Sequence, residues 1–164
     1  MTAQAPKRIF LSWAHRDQKL KEVLLDDLLP ALGMLPDISI EWWEDSHLTC
    51  GENLTLSIVG RLDEADYGLL LLSNGYFNSS FIQRYELPRF ASAGADKGSL
   101  PVMLGPLPGF GPSWSMGGIE RQVLFTSANR SFAEVSGARR TIFANELATA
   151  IRTRLLGLNG YRSL

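Results

Sequence analysis

From Tyr67 to Leu72 the chain reads YGLLLL, with DEAD before it and SNG after it. An apolar run without alternation has no face to offer to water, so it reads as a strand covered on both sides, the habit of a central strand in a parallel sheet. That reading constrains the rest of the chain, because parallel neighbours need crossover connections, most often helices. A Ser-containing turn follows the run, and then NSSFIQRYELPRF, residues 78–90, reads as helix. A helix entered in this way starts at the carboxyl edge of the sheet, where open α/β sheets bind ligands. Glu86 falls early enough in it to face a crevice there, which makes it the leading candidate for a chemically active residue.

The flanking segments supply the partners that such a strand needs. Residues 8–13, apolar at Ile9, Phe10 and Leu11, read as a strand, and a helix from about Asp17 repeats Leu20, Leu24, Leu28 and Leu32 at four-residue spacing. Lys19, Lys21, Glu22 and Asp26 are expected on its polar side, and Pro30 is expected to kink or end it. A second strand over 38–43 and a polar loop over 44–52 lead to a helix with Leu54, Ile58 and Leu62 on one face. A fourth strand spans 100–104, a Gly- and Pro-rich loop covers 105–118, a short fifth strand fits 122–125, and a closing helix begins near Thr141. Strands alternating with helices give a flavodoxin-like, doubly wound, five-stranded parallel sheet flanked by helices. One domain over 8–157 is expected, with a short extension at 1–7 and a tail or linker start at 158–164.

Bulk properties narrow the chemistry. A length of 164 residues, 45% of them hydrophobic, suits one domain with a sizeable core. Sixteen basic against 17 acidic residues, a net charge of -1, give no general attraction to phosphate backbones, so nucleic acid is not an expected partner. The single Cys50, and the lack of a secretory leader or an apolar run of spanning length, point to a cytoplasmic protein without a membrane partner. The turn after the first strand, SWAHRD, lacks the glycines of a dinucleotide fingerprint, and Gly109-Phe110-Gly111 lies in a loop. The third strand ends Leu72-Ser73-Asn74, without the acidic residue a phospho-accepting site needs. Two histidines, His15 and His47, and one cysteine give neither a nucleophilic triad nor a zinc-ligand spacing.

What the strand ends offer is a carboxylate in aromatic and hydroxyl company: Ser12 and Trp13, Trp43 and Asp45, Ser73, and Glu86. A carboxylate in an aromatic cleft suits a reaction with a cationic transition state, since it stabilises an oxocarbenium ion and can orient ribose hydroxyls. Blander roles stand beside this. Trp13 and Trp43 suit core packing as well as pocket lining, Asp45 suits a turn or helix cap, and a lone helical Glu is ordinarily solvated. Cys50 has no neighbouring cation or base that would activate it.

Several segments, in order, resemble a bacterial-type Toll/interleukin-1 receptor (TIR) domain from Arg8 through the closing helix. They are RIFLSWAHRD, WWEDSHLTCGENL, DEADYGLLLLS, the Ser-containing turn with Glu86 six residues after Ser80, and LPVML. Many members of that family cleave NAD+ at the nicotinamide–ribose bond, giving ADP-ribose or a cyclic isomer. The resemblance implies that Glu86 is the catalytic glutamate and that Trp13, Trp43, Asp45, Ser12, Ser73 and Tyr85 shape the nucleotide site. It implies NAD+ as substrate with no further cofactor, self-association with other TIR domains, a sensor domain or protein as partner, and a role in bacterial immunity. Ile82 and Gln83 stand where many members have Trp and Cys, so Tyr85 and Phe81 would supply aromatic surface instead. Pro88 implies either a kink or a short helix ending near Glu86. Two other functions fit the same residues: a non-catalytic TIR–TIR recruitment module, and a transferase acting on another N-glycoside.

Overall fold

A computed structural model describes residues 5–44, 51, 53–92, 94–95, 97–109 and 116–157. Four parallel strands, β1 (Lys7–Ser12), β2 (Ile40–Trp43), β3 (Tyr67–Leu72) and β4 (Gly98–Met103), form one sheet in the order β2-β1-β3-β4. The chain order reverses between β1 and β3, which places a crevice at their carboxyl ends. Helices α1 (Gln18–Gly33) and α5 (Ala138–Leu155) cover one face, packing Leu24, Leu28, Phe143, Leu147 and Ile151 on Ile9, Leu11, Leu69 and Leu71. The other face carries Phe10, Leu70 and Leu72, covered by α2 (Leu54–Glu64), α3 (Asn74–Phe77) and α4 (Leu87–Ala91). β3 is therefore apolar on both sides because both sides are covered.

The expected fifth strand does not form. Among the described residues that segment gives one parallel bridge, Phe125 with Val102, where Phe125 N–H donates to Pro101 O at 2.8 Å and Met103 N–H to Phe125 O at 3.0 Å. A tight turn at Ile119–Arg121 precedes it, and a second with positive φ at Ala128 and Asn129 follows, leaving too few extended residues for a ladder. Pro101, which has no N–H, also shortens the edge that a fifth strand could pair with.

Three helical expectations need correction. Pro30 does not end α1, which runs on to Gly33; the bond it removes is to the carbonyl of Asp26, an exposed residue that water can serve. Lys21 is buried rather than on the polar side, because the buried stripe of α1 is Lys21, Leu24, Leu28 and Leu32. The helix expected over 78–90 forms over 80–91, after the separate single turn α3, but its middle is a wide π turn, Ile82–Glu86, ahead of α4, with Leu87 N–H donating to Ile82 O. Pro88 has no N–H for the carbonyl of Arg84, and the backbone widens just before it.

Carboxylates fasten the periphery. Arg152 Nε, on α5, donates to both oxygens of Asp37 at 3.0 and 2.9 Å, which holds the Asp37 carboxyl below its ordinary value. Glu134 accepts from Ser131's backbone N–H and hydroxyl, both at 2.8 Å, and is lowered by them. Groups with a lowered folded value bind protons more readily once unfolded, so their stabilisation is present above the ordinary carboxylate range and is lost as pH falls through it. Melting temperature is expected to hold between neutrality and about pH 5 and to fall below about pH 4, with Arg152→Ala flattening part of the fall. Thermal melts over that range check this; a rise on acidification would contradict the assignment.

Candidate functional site

β1 alternates, so Ile9 and Leu11 face α1 and α5 while Phe10 faces the other layer, and Ser12, two residues on, shares the side of Phe10. Ser12 is the last residue of β1 and is fully buried. Across from it, Ser73 caps α3 by accepting the Tyr76 N–H at 3.0 Å, and this tight entry turns the Tyr76 ring wholly into the core. The π turn brings Glu86 to the same place, 8% exposed. Ser12 Oγ donates to Glu86 Oε1 at 2.7 Å and lies 2.9 Å from the Tyr76 hydroxyl. A serine hydroxyl has one proton. With that proton on the carboxylate side, Tyr76 donates to Ser12. Burial supports this order, because it pushes the Tyr76 phenol well above its ordinary value and keeps it protonated.

Glu86 lines a cleft of about 970 Å³ walled by Trp13, His15 and Arg16 from the loop after β1, Lys21 from α1, Leu54 and Ile58 from α2, and Phe81. One wall is an electrostatic cluster. Glu44, just past β2, accepts from Trp13 Nε1 at 2.9 Å and from Lys21 Nζ at 3.2 Å; Lys21 also sits 4.1 Å from the Trp13 ring centroid, and the His15 ring lies tilted against that ring with centroids 5.1 Å apart. Both charged side chains of the pair are about nine-tenths buried, 9% and 12% exposed. Removing one partner of such a pair leaves an uncompensated charge in the protein. Glu44→Ala is expected to destabilise by roughly 3 kcal/mol; Lys21→Met strands the charge of Glu44 but keeps the apolar stem and the Trp13 Nε1 donor to that carboxylate, so it should cost less. Urea denaturation of the two variants checks the order.

The loop after β1 is tied across the crevice. Ser73 donates to Asp17, and the Arg16 side chain lies over Gly75, where a Cβ would come within 2.3 Å of Arg16 Cδ. A second groove of about 470 Å³, between β4, Phe125 and α5, is lined by Ser99, Gln122, Arg154 and apolar residues and holds no carboxylate. The candidate site is therefore the crevice of β1 and β3.

Of the residues singled out from sequence, Glu86, Ser12 and Trp13 meet at this cleft. Ser12 is buried behind Glu86, placed to hold the carboxylate. Ser73 serves α3 and Asp17 beneath the cleft floor. Trp43 lies under the Arg61 guanidinium, 4.6 Å from its ring centroid, and packs on the α2 side of the core. Tyr85 packs at a tilt against Phe81, centroids 4.9 Å apart, and only Phe81 of the two lines the cleft. Asp45, His47 and Cys50 lie outside the described residues. Sequence reasoning missed Tyr76, Lys21 and Glu44. Lys21 had a signal, since it stands three residues before Leu24 and so on the buried stripe. Tyr76 had a weaker one, as the third residue after a capping Ser73.

Among the described residues no group of acidic, histidine or cysteine side chains could hold a metal ion, and no helix is long and apolar enough to cross a membrane. No protein-family model matches the chain, and no curated protein matches it significantly.

Proposed function

We propose that this protein is a TIR-type NAD+ glycohydrolase or cyclase, with Glu86 as the carboxylate that acts on the nicotinamide ribose. The observation that carries the reading is Glu86 held by Ser12 at 2.7 Å on the wall of an aromatic cleft at the sheet's carboxyl edge. A cleft of about 970 Å³ is ample for a dinucleotide. Trp13 and Phe81 offer surfaces for flat rings, and Arg16 at the same cleft offers a cation for a diphosphate.

The chemistry asks little more of the protein. The leaving base of NAD+ already carries the positive charge, so the bond between ribose C1′ and the pyridinium nitrogen can break with its electron pair going to nitrogen, and no acid is required. Positive charge then develops on the ribose, where a nearby carboxylate stabilises it and can accept hydrogen bonds from the ribose hydroxyls. Attack by water gives ADP-ribose and a proton; attack by another atom of the substrate gives a cyclic product.

A second observation favours association. Leu54, which lines the cleft, and Leu56, on another side of the first turn of α2, are 60% and 71% exposed, apolar surface that contact with another TIR domain would cover. The test is NAD+ consumption with product identification at high protein concentration, with a crowding agent to promote assembly. Nicotinamide release is the expected result, and its co-product separates hydrolase from cyclase. Assembled protein that releases none would move the reading to a recruitment module.

A further inference from the structure

We propose that Tyr76 and Ser12 are positioning residues for Glu86: the phenol sets the serine hydroxyl, and the hydroxyl sets one orientation of the carboxylate toward the cleft. The inference rests on the catalytic reading of Glu86 for its purpose, though not for its geometry.

A serine hydroxyl rotates freely unless both its donor and acceptor sides are engaged. Here both are, at 2.7 Å to Glu86 Oε1 and 2.9 Å to Tyr76, and both Ser12 and Tyr76 are fully buried. No water can substitute for either partner without opening the core. Proton order is also fixed along the chain of groups: Tyr76 gives to Ser12, and Ser12 gives to an acceptor-only carboxylate. A bond donated to a carboxylate favours its ionised form. The π turn lets Glu86 take part, because a regular helix ending at Pro88 would rotate its side chain to another bearing.

Among the described residues, and apart from Tyr76 and Glu86 itself, the charged or titratable groups around the cleft are His15 and Arg16 from the loop after β1, Lys21 and Glu22 from α1, and Glu44, paired with Lys21 just past β2. α2 faces it with Leu54 and Ile58 and brings no charge, while Arg84 and Arg89 belong to the helical run of Glu86 itself. None of these reaches Glu86 through Ser12. A purely structural role for the buried trio would show as lost stability with no change in Glu86.

The experiment is carbon-13 NMR titration of the Glu86 side-chain carboxyl in full-length protein, assigned by loss of its signal in Glu86→Gln. It compares wild type, Tyr76→Phe, Ser12→Ala and Ser12→Thr, each in a His15→Gln background to remove the neighbouring titration. The Glu86 midpoint is expected to move up by roughly one pH unit in Ser12→Ala, by less in Tyr76→Phe, and to return toward wild type in Ser12→Thr, which restores the hydroxyl. In an NAD+ cleavage assay, kcat should fall about tenfold in Ser12→Ala with KM little changed, and the acid limb of the rate profile should follow the NMR midpoint. An unchanged Glu86 midpoint in folded Tyr76→Phe and Ser12→Thr-controlled Ser12→Ala protein would overturn the proposal. Shifted midpoints in a protein that cleaves no NAD+ would uphold the positioning and overturn the glycohydrolase reading instead.

Discussion

Glu86→Gln is expected to reduce NAD+ cleavage by about 10³-fold while leaving the melting temperature within a few degrees of wild type. The amide matches the carboxylate in size, and its carbonyl can still accept the Ser12 proton now received by Oε1 at 2.7 Å, so the buried hydrogen-bond chain survives. What changes is the negative charge, and the second oxygen becomes an NH2 donor. In a half-closed cleft a full charge facing a developing oxocarbenium ion is worth more than in water, and a 10³-fold effect corresponds to about 4 kcal/mol of transition-state stabilisation. KM should change little, because ground-state contacts to the rings and diphosphate fall to other residues. Glu86→Ala is a poorer probe, since it strips the acceptor from Ser12 and opens a cavity beside Tyr76. Single-turnover nicotinamide release, alongside a thermal melt of each protein, separates the effects. Equal rates in wild type and Glu86→Gln would remove Glu86 from the chemistry.

The route to Glu86 was open in the sequence because it depends on gross features. YGLLLL could only be a covered strand, and the helix after a central parallel strand begins at the ligand-binding edge. Parity along β1 then brings Ser12 to the side where that helix lies. The features that were not legible depend on context that a local pattern does not carry. Lys21 reads as polar surface until Glu44 and Trp13, brought beside it by the ends of β2 and β1, enclose it. Gln122 to Phe125 looks extended locally, but what a fifth strand could gain is set by β4, where Pro101 offers a carbonyl and no N–H. The π turn lies in the residues just before Pro88, where neither periodicity nor propensity registers it. Tyr76 sits in a four-residue helix too short to show any period at all.

Gly118→Ala should be among the most damaging single substitutions available outside the site. Gly118 has φ +103°, a region that costs a residue with a Cβ about 1–2 kcal/mol by itself. A Cβ there would also lie 1.8 Å from the carbonyl oxygen of Ala91 and 2.8 Å from its carbonyl carbon. Those are backbone atoms at the end of α4, so no side-chain rotation relieves the overlap, and one of the two segments must move. Both movements are costly. Gly118 leads into the Ile119–Arg121 turn, and Ile119 is fully buried against the core that holds Leu87 and Phe90; Gly118 N–H also donates to Glu120 Oε2 at 3.0 Å. Displacing the loop withdraws Ile119 from that core, and displacing α4 disturbs the π turn that aims Glu86. A loss of roughly 3 kcal/mol or more is expected, the sum of strain and core disruption. Gly94→Ala supplies the control, because Gly94 has φ +83° with no atom of the described residues beyond its chain neighbours within 4 Å of the added Cβ, so it should show the strain alone. Urea denaturation of the two variants against wild type measures the difference directly. If Gly118→Ala lost no more than Gly94→Ala, the close approach of the 118 backbone to α4 would not be a constraint on the fold, and the tie between this loop and the orientation of Glu86 would go with it.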